Sequence, residues 1–151
     1  MALGGRDVLY VATALVSRED PELTRRIEAH RERRHPGWGL LELTQESLAA
    51  ALEASKGRTV VLIDSLTLWV SARMFERNDA ATLEEFERFV EDANRLRQPV
   101  ILVSDEVGFG LVPESAEGRR FRDLLGLVNQ HAAAAAEEVY LCLAGLPWRI
   151  K

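Results

Sequence analysis

Three apolar segments constrain this chain most: Val8-Leu9-Tyr10-Val11, Thr59-Val60-Val61-Leu62-Ile63 and Val100-Ile101-Leu102-Val103. Each stops abruptly at small or polar residues, and stretches of helical periodicity separate them. That alternation predicts an α/β fold with a mostly parallel sheet and right-handed crossovers. In open parallel sheets a ligand binds beyond the carboxyl ends of the strands. Here those ends are Ala12-Thr13-Ala14, Asp64, and the loop Ser104-Asp105-Glu106-Val107-Gly108-Phe109-Gly110. Three strand ends are therefore expected to converge on one site.

The intervening segments carry helix signals. Asp20 and Pro21 open a helix over 21–34 with Leu23, Ile27 and His30 on one face. A second helix follows Thr44, carries Leu48 and Leu52, and stops at Gly57. Residues 66–77 form a third. Thr82 to Glu85 reads as a capping box ahead of Phe86, Phe89, Val90, Ala93 and Leu96. Ser115 opens a long helix to about residue 137, with Phe121, Leu124, Leu125 and Val128 facing inward. Strands at 139–143 and 148–150 close the chain. With 47% hydrophobic residues, the 151 residues are enough for one domain over 1–151 with a full core.

A net charge of −5 argues against a general nucleic-acid binder. Locally the balance reverses: residues 25–35 hold five arginines and two histidines against two glutamates. Such a patch suits a small phosphorylated ligand, or forms a solvated helix face. His30 within it reads as a nucleophile or as a core histidine. Cys142 is the only cysteine, so no internal disulfide forms; it falls in a strand-like run that suggests core packing, and the cysteine usage suits the cytoplasm. No apolar run is long enough to span a membrane, and no signal peptide is evident. Asp64 at a strand end can hold a divalent metal or cap a helix, and Ser65 can take the capping role instead. Gly108 and Gly110 permit positive φ or mark an ordinary turn. Trp38, Trp69 and Trp148 read as packing residues. Arg119, Arg120 and Arg122 open the last helix as candidate phosphate or subunit contacts.

In order, the chain presents Tyr10-Val-Ala-Thr-Ala14, Arg26-Ile-x-x-His30, Trp38, Glu42, Asp64-x-Leu-Thr-Leu-Trp69, Glu106-Val-Gly-x-Gly-x-Val-Pro-Glu114, Arg120-Phe-Arg-Asp-x-Leu-Gly-x-x-Asn-Gln130 and Ala144-Gly-Leu-Pro147. Together these resemble the bifunctional adenosylcobinamide kinase / adenosylcobinamide-phosphate guanylyltransferase family of cobalamin biosynthesis, over nearly the whole chain. Asp105 stands where the family usually has Asn. The resemblance implies a P-loop NTPase-like (RecA-like) sheet and two reactions. A nucleoside triphosphate, GTP or ATP, phosphorylates adenosylcobinamide; GMP from GTP then passes through a guanylylated histidine to adenosylcobinamide phosphate. It places the covalent histidine at His30 and nucleotide contacts at Ala12, Thr13, Ala14, Arg31, Glu32, Arg33, Arg34, Glu42 and Asp64. Asp64 is also the implied Mg²⁺ ligand, and a homotrimer the implied assembly.

The family begins with a strand, a Walker A phosphate loop and a helix, which precede the match to residues 8–13. No Gly-x4-Gly-Lys-Ser/Thr occurs in these 151 residues, whose only lysines are Lys56 and Lys151. The expectation is a fold whose N-terminal phosphate-loop unit is missing, with Met1 an internal start and phosphoryl transfer impaired. The alternative expectation is a non-catalytic or subunit-forming remnant of the same fold.

Overall fold

A computed structural model describes residues 7–14, 25, 28, 29, 32, 34–43 and 47–151. Its centre is a parallel sheet of β1 (Val8–Ala12), β2 (Gly39–Glu42), β3 (Val60–Asp64) and β4 (Val100–Val103), in the order β2-β1-β3-β4. Helices α1 (Leu48–Ala54), α2 (Leu66–Glu76), α3 (Asp79–Ala93) and α4 (Ala116–Ala135) flank it. β-Branched residues are most frequent in β3 and β4, where they suit a pleated, packed surface.

Register determines which residues share a face. Leu9 lies beside Val61 and Val11 beside Ile63, and these four join Leu48, Leu52, Leu66, Trp69, Val70, Phe86, Phe89, Leu124, Leu125 and Val128 in the core. Side chains alternate across a strand, so the opposite face carries Tyr10, Ala12, Leu40, Glu42, Leu62, Asp64, Ile101 and Val103. Leu40 and Val103 on that face are exposed.

Ser65 caps α2, its Oγ accepting from Leu68 N at 3.4 Å, and Ser115 caps α4 through Gly118 N at 3.0 Å. Both match the sequence reading. The expected capping box at Thr82 does not form. Helix α3 begins earlier, where Asn78 Oδ1 accepts from Ala81 N at 2.9 Å, and Thr82 is buried inside the helix. Glu85 is drawn instead into ion pairs with Arg73 and Arg77.

The last two strands also depart from expectation. Among the described residues, β5 (Tyr140–Leu143) and β6 (Leu146–Arg149) pair only with each other, as an antiparallel hairpin turning on Ala144 and Gly145, both at positive φ. Cys142 is exposed there rather than packed in a core, and Trp148 is exposed too. The expected helix at 21–34 falls largely outside the described residues; Arg25, Glu28, Ala29 and Glu32 have helical backbone. Among the described residues, no helix is long and apolar enough to cross a membrane.

Candidate functional site

β1 lies inside the sheet, with β2 on one side and β3 on the other, and β4 lies beyond β3. The chain leaving β1 thus runs to one side and the chain leaving β3 to the other. Sheets with this strand order bind ligands beyond the carboxyl ends of two such strands. Ala12 and Asp64 face each other across that point, and Glu42 lies beside Ala12 on the outer strand.

Two side chains from β1 hold the Asp64 end. Tyr10 OH donates to Asp64 Oδ2 at 2.6 Å. Burial first, then the hydrogen bond and charge of Asp64, push the Tyr10 phenol above its ordinary pKa, so it remains a donor at neutral pH. Thr13 is buried beside it. Its Oγ1 donates to Ser65 O at 2.6 Å and accepts from Ser65 N at 2.8 Å, and its own N–H donates to Asp64 O at 3.2 Å. The Thr13 hydroxyl, assigned by resemblance to nucleotide, is thus engaged on the backbone that carries Asp64. Arg34 sits over the Tyr10 ring, its Cζ 5.2 Å from the centroid.

Ala14 continues the strand end, half-buried, and Glu42 is exposed. Glu32 is exposed on helical backbone. His30, Arg31 and Arg33 lie outside the described residues. His35 is exposed, and its Nδ1 accepts from Gly37 N at 3.2 Å.

The carboxylate and glycine loop after β4 is tied down from two sides. Asp105 N donates to Thr67 Oγ1 at 2.9 Å, Ser104 Oγ bonds Asn129 Oδ1 at 2.6 Å, and Asn129 Nδ2 donates to Asp105 O at 3.1 Å. Glu106 Oε1 accepts from Gly108 N at 2.8 Å and caps the short turn Val107–Phe109. Neither Gly108 nor Gly110 adopts positive φ. A Cβ at Gly108 would lie 2.7 Å from Glu106 Oε1, so a larger residue there would displace that carboxylate.

The arginines opening α4 have intramolecular partners. Arg119 donates to Pro113 O and Glu114 O, Arg120 pairs with Asp79 and Arg77 O, and Arg122 pairs with Asp123. Trp69 packs on Phe86, ring centroids 5.8 Å apart, as the sequence suggested. Tyr10, Thr67 and Asn129 carried no role in the sequence reading. Tyr10 was accessible through period two, which places it on the face of Ala12; Thr67 and Asn129 act through contacts that no local pattern encodes.

Among the described residues no three His, Cys, Asp or Glu side chains gather as a metal cage. One strand-end carboxylate, with phosphate oxygens and water, nonetheless fits the way Mg²⁺ is bound at nucleotide sites. An open groove of about 590 Å³ between α3 and α4 is lined by Glu87, Val90, Glu91, Gln130 and His131 and includes none of these strand ends.

A parallel α/β sheet with a carboxylate at its switch point defines the general class of small-ligand and nucleotide-binding proteins. The comparisons narrow it. Residues 1–150 match the family described as cobinamide kinase / cobinamide phosphate guanyltransferase. The chain is 39% identical over 152 residues to the bifunctional adenosylcobalamin biosynthesis protein CobP of Pseudomonas aeruginosa, covering 99% of this chain and 86% of that protein. It is 35% identical over 160 residues to CobU of Escherichia coli, covering 95% of this chain and 86% of that protein. The chain belongs to the cobinamide kinase / cobinamide phosphate guanyltransferase family.

Proposed function

We propose that the chain serves adenosylcobalamin biosynthesis through two transfers to one corrinoid substrate, the first of them impaired in residues 1–151 taken alone, which hold no Gly-x4-Gly-Lys-Ser/Thr. The observation that carries this reading is Asp64 at the switch point, held by Tyr10 and Thr13 and flanked by Ala12 and Glu42. In the first transfer, the terminal hydroxyl of adenosylcobinamide attacks the γ-phosphorus of GTP or ATP. The oxygen–phosphorus bond to the β-phosphate breaks, the nucleoside diphosphate leaves, and the hydroxyl proton passes to solvent or a base. Asp64 would hold Mg²⁺, which when bound offsets phosphate charge. Glu42 would accept hydrogen bonds from the guanine base, and the small side chains of Ala12 and Ala14 let the nucleotide approach the backbone.

In the second transfer a neutral His30 nitrogen attacks the α-phosphorus of GTP, and pyrophosphate leaves. A phosphate oxygen of adenosylcobinamide phosphate then displaces the histidine, breaking the phosphorus–nitrogen bond and giving adenosylcobinamide-GDP. Arg31, Arg33 and Arg34 would offset the charge that develops, with Glu32 beside them. Assembly as a homotrimer in the cytoplasm belongs to the same reading, supported by the resemblance.

GTP labelled with ³²P at the α-phosphate tests it. The chain should acquire an acid-labile, base-stable label that His30→Ala abolishes and His35→Ala leaves intact. Label lost only in His35→Ala, or no label at all, would overturn the assignment.

A further inference from the structure

Tyr10 touches both halves of the proposed site. It stands two residues before Ala12, on the sheet face that carries Glu42 and Asp64. Its hydroxyl meets the Asp64 carboxylate at 2.6 Å, while Arg34 lies 5.2 Å from its ring centroid. We propose that Tyr10 is a positioning residue shared by the two transfers, its hydroxyl orienting Asp64 toward the metal–nucleotide and its ring seating the Arg34 guanidinium. The proposal rests on the roles given above to Asp64 and Arg34.

The two contacts are chemically separable. A short hydrogen bond from a neutral hydroxyl to a carboxylate is charge-assisted and directional, and it helps fix the orientation of the side chain that accepts it. A carboxylate retains several lone pairs after accepting one such bond, so orientation by Tyr10 does not consume its capacity for metal. The aromatic face attracts a guanidinium and aligns its plane, which a phosphate-binding fork requires. Phenylalanine would fill nearly the same volume and serve Arg34 equally well, but could not hold Asp64.

The test uses the full chain with Mn²⁺ as the metal probe, followed by the electron paramagnetic resonance signal of the free ion. Titrations run with and without a non-hydrolysable imido analogue of GTP. Tyr10→Phe should raise the Mn²⁺ Kd about tenfold, the loss typical when a partner of a metal-binding carboxylate is removed. Its labelling by α-³²P GTP should need about tenfold more metal to reach half its maximal rate, in step with the weakened Mn²⁺ affinity. Tyr10→Leu should show the same loss of metal affinity and, in addition, label about two- to fivefold more slowly, the equivalent of one cation–π contact. Melting temperatures recorded alongside separate positioning from folding. If Tyr10→Phe binds Mn²⁺ as wild type while Asp64→Asn binds it weakly, the hydroxyl's role is overturned. If Asp64→Asn binds Mn²⁺ as wild type, the metal role of Asp64 fails first. Equal labelling rates for Tyr10→Phe and Tyr10→Leu would overturn the role of the ring.

Discussion

Thr13 uses its hydroxyl twice on a single residue of a neighbouring strand end, accepting from Ser65 N and donating to Ser65 O. Because the pair is buried, losing the hydroxyl would strand two backbone groups without water. Thr13→Val is therefore expected to cost about 2–3 kcal/mol in urea unfolding, the penalty of unsatisfied buried partners, whereas Thr13→Ser should stay within about 1 kcal/mol. Equal stability for the two variants would show that the clamp contributes little. The residue scale is also where sequence reading was most uneven. Asp64 was legible because a carboxylate directly after an apolar strand is visible without structure. Period two places Tyr10 on the face of Ala12, but its contact with Asp64 runs diagonally between strands and depends on the pairing of Ala12 with Asp64, which no sequence pattern shows. Gly108 was singled out for its backbone freedom, but its φ is negative and its neighbour is the Glu106 carboxylate that accepts from its N–H.

Between α2 and α3 a buried cation organises the corner. Arg73 is only 3% exposed, with Nη1 2.6 Å from Glu76 Oε2 and Nε 3.6 Å from Glu85 Oε2, while Arg77 approaches Glu85 at 2.9 Å. Removing Arg73 leaves Glu85 to Arg77 alone and empties the space of a buried side chain, so Arg73→Ala should cost about 1–3 kcal/mol. A double-mutant cycle with Glu85→Gln should return a coupling well above that of the exposed pair Arg88–Glu84. Sequence alone placed Glu85 in a capping box because the Thr-x-x-Glu spacing fits one. The competing cap at Asn78 and the distant arginines lie beyond that four-residue pattern.

The hairpin offers a titration test at the same scale. Tyr140 OH donates to Glu138 Oε2 at 2.8 Å, and that bond raises the phenol's pKa. A raised value in the folded state means the contribution is fully present below the unfolded pKa of about 10 and is lost as pH rises through the folded value. Absorbance at 295 nm should show Tyr140 ionising later in wild type than in Glu138→Gln. Coincident curves would remove the interaction.

For the whole molecule, β1, β3, β4 and helices α1 to α4 were readable in the strand–helix alternation, and the parallel sheet followed from it; β2 (Gly39–Glu42) was not, because Gly-Leu-Leu-Glu is too short and too weakly patterned to signal a strand. The hairpin did not, since an apolar five-residue run gives no sign of whether it joins the sheet. Cys142 was misplaced for that reason. Function scales differently: His30 and Asp64 are both in these 151 residues, whereas Gly-x4-Gly-Lys-Ser/Thr is not. A polypeptide of residues 1–151 alone should therefore form adenosylcobinamide phosphate only in traces with GTP and Mg²⁺, because phosphoryl transfer depends on holding the β- and γ-phosphates. Product chromatography showing ready turnover would sink that expectation.

The detachment of β5 and β6 has a consequence for how the molecule breathes. The amides of Val61 and Ile63 lie in a strand paired on both sides and packed in the core, so their protons should exchange with deuterium only through global unfolding. Among the described residues, the β5–β6 ladder has no partner beyond its own two strands, and Leu146, Trp148 and Ile150 are exposed. Its amides should exchange through a local opening that is insensitive to low denaturant, while those of β3 slow or quicken with the stability of the entire sheet.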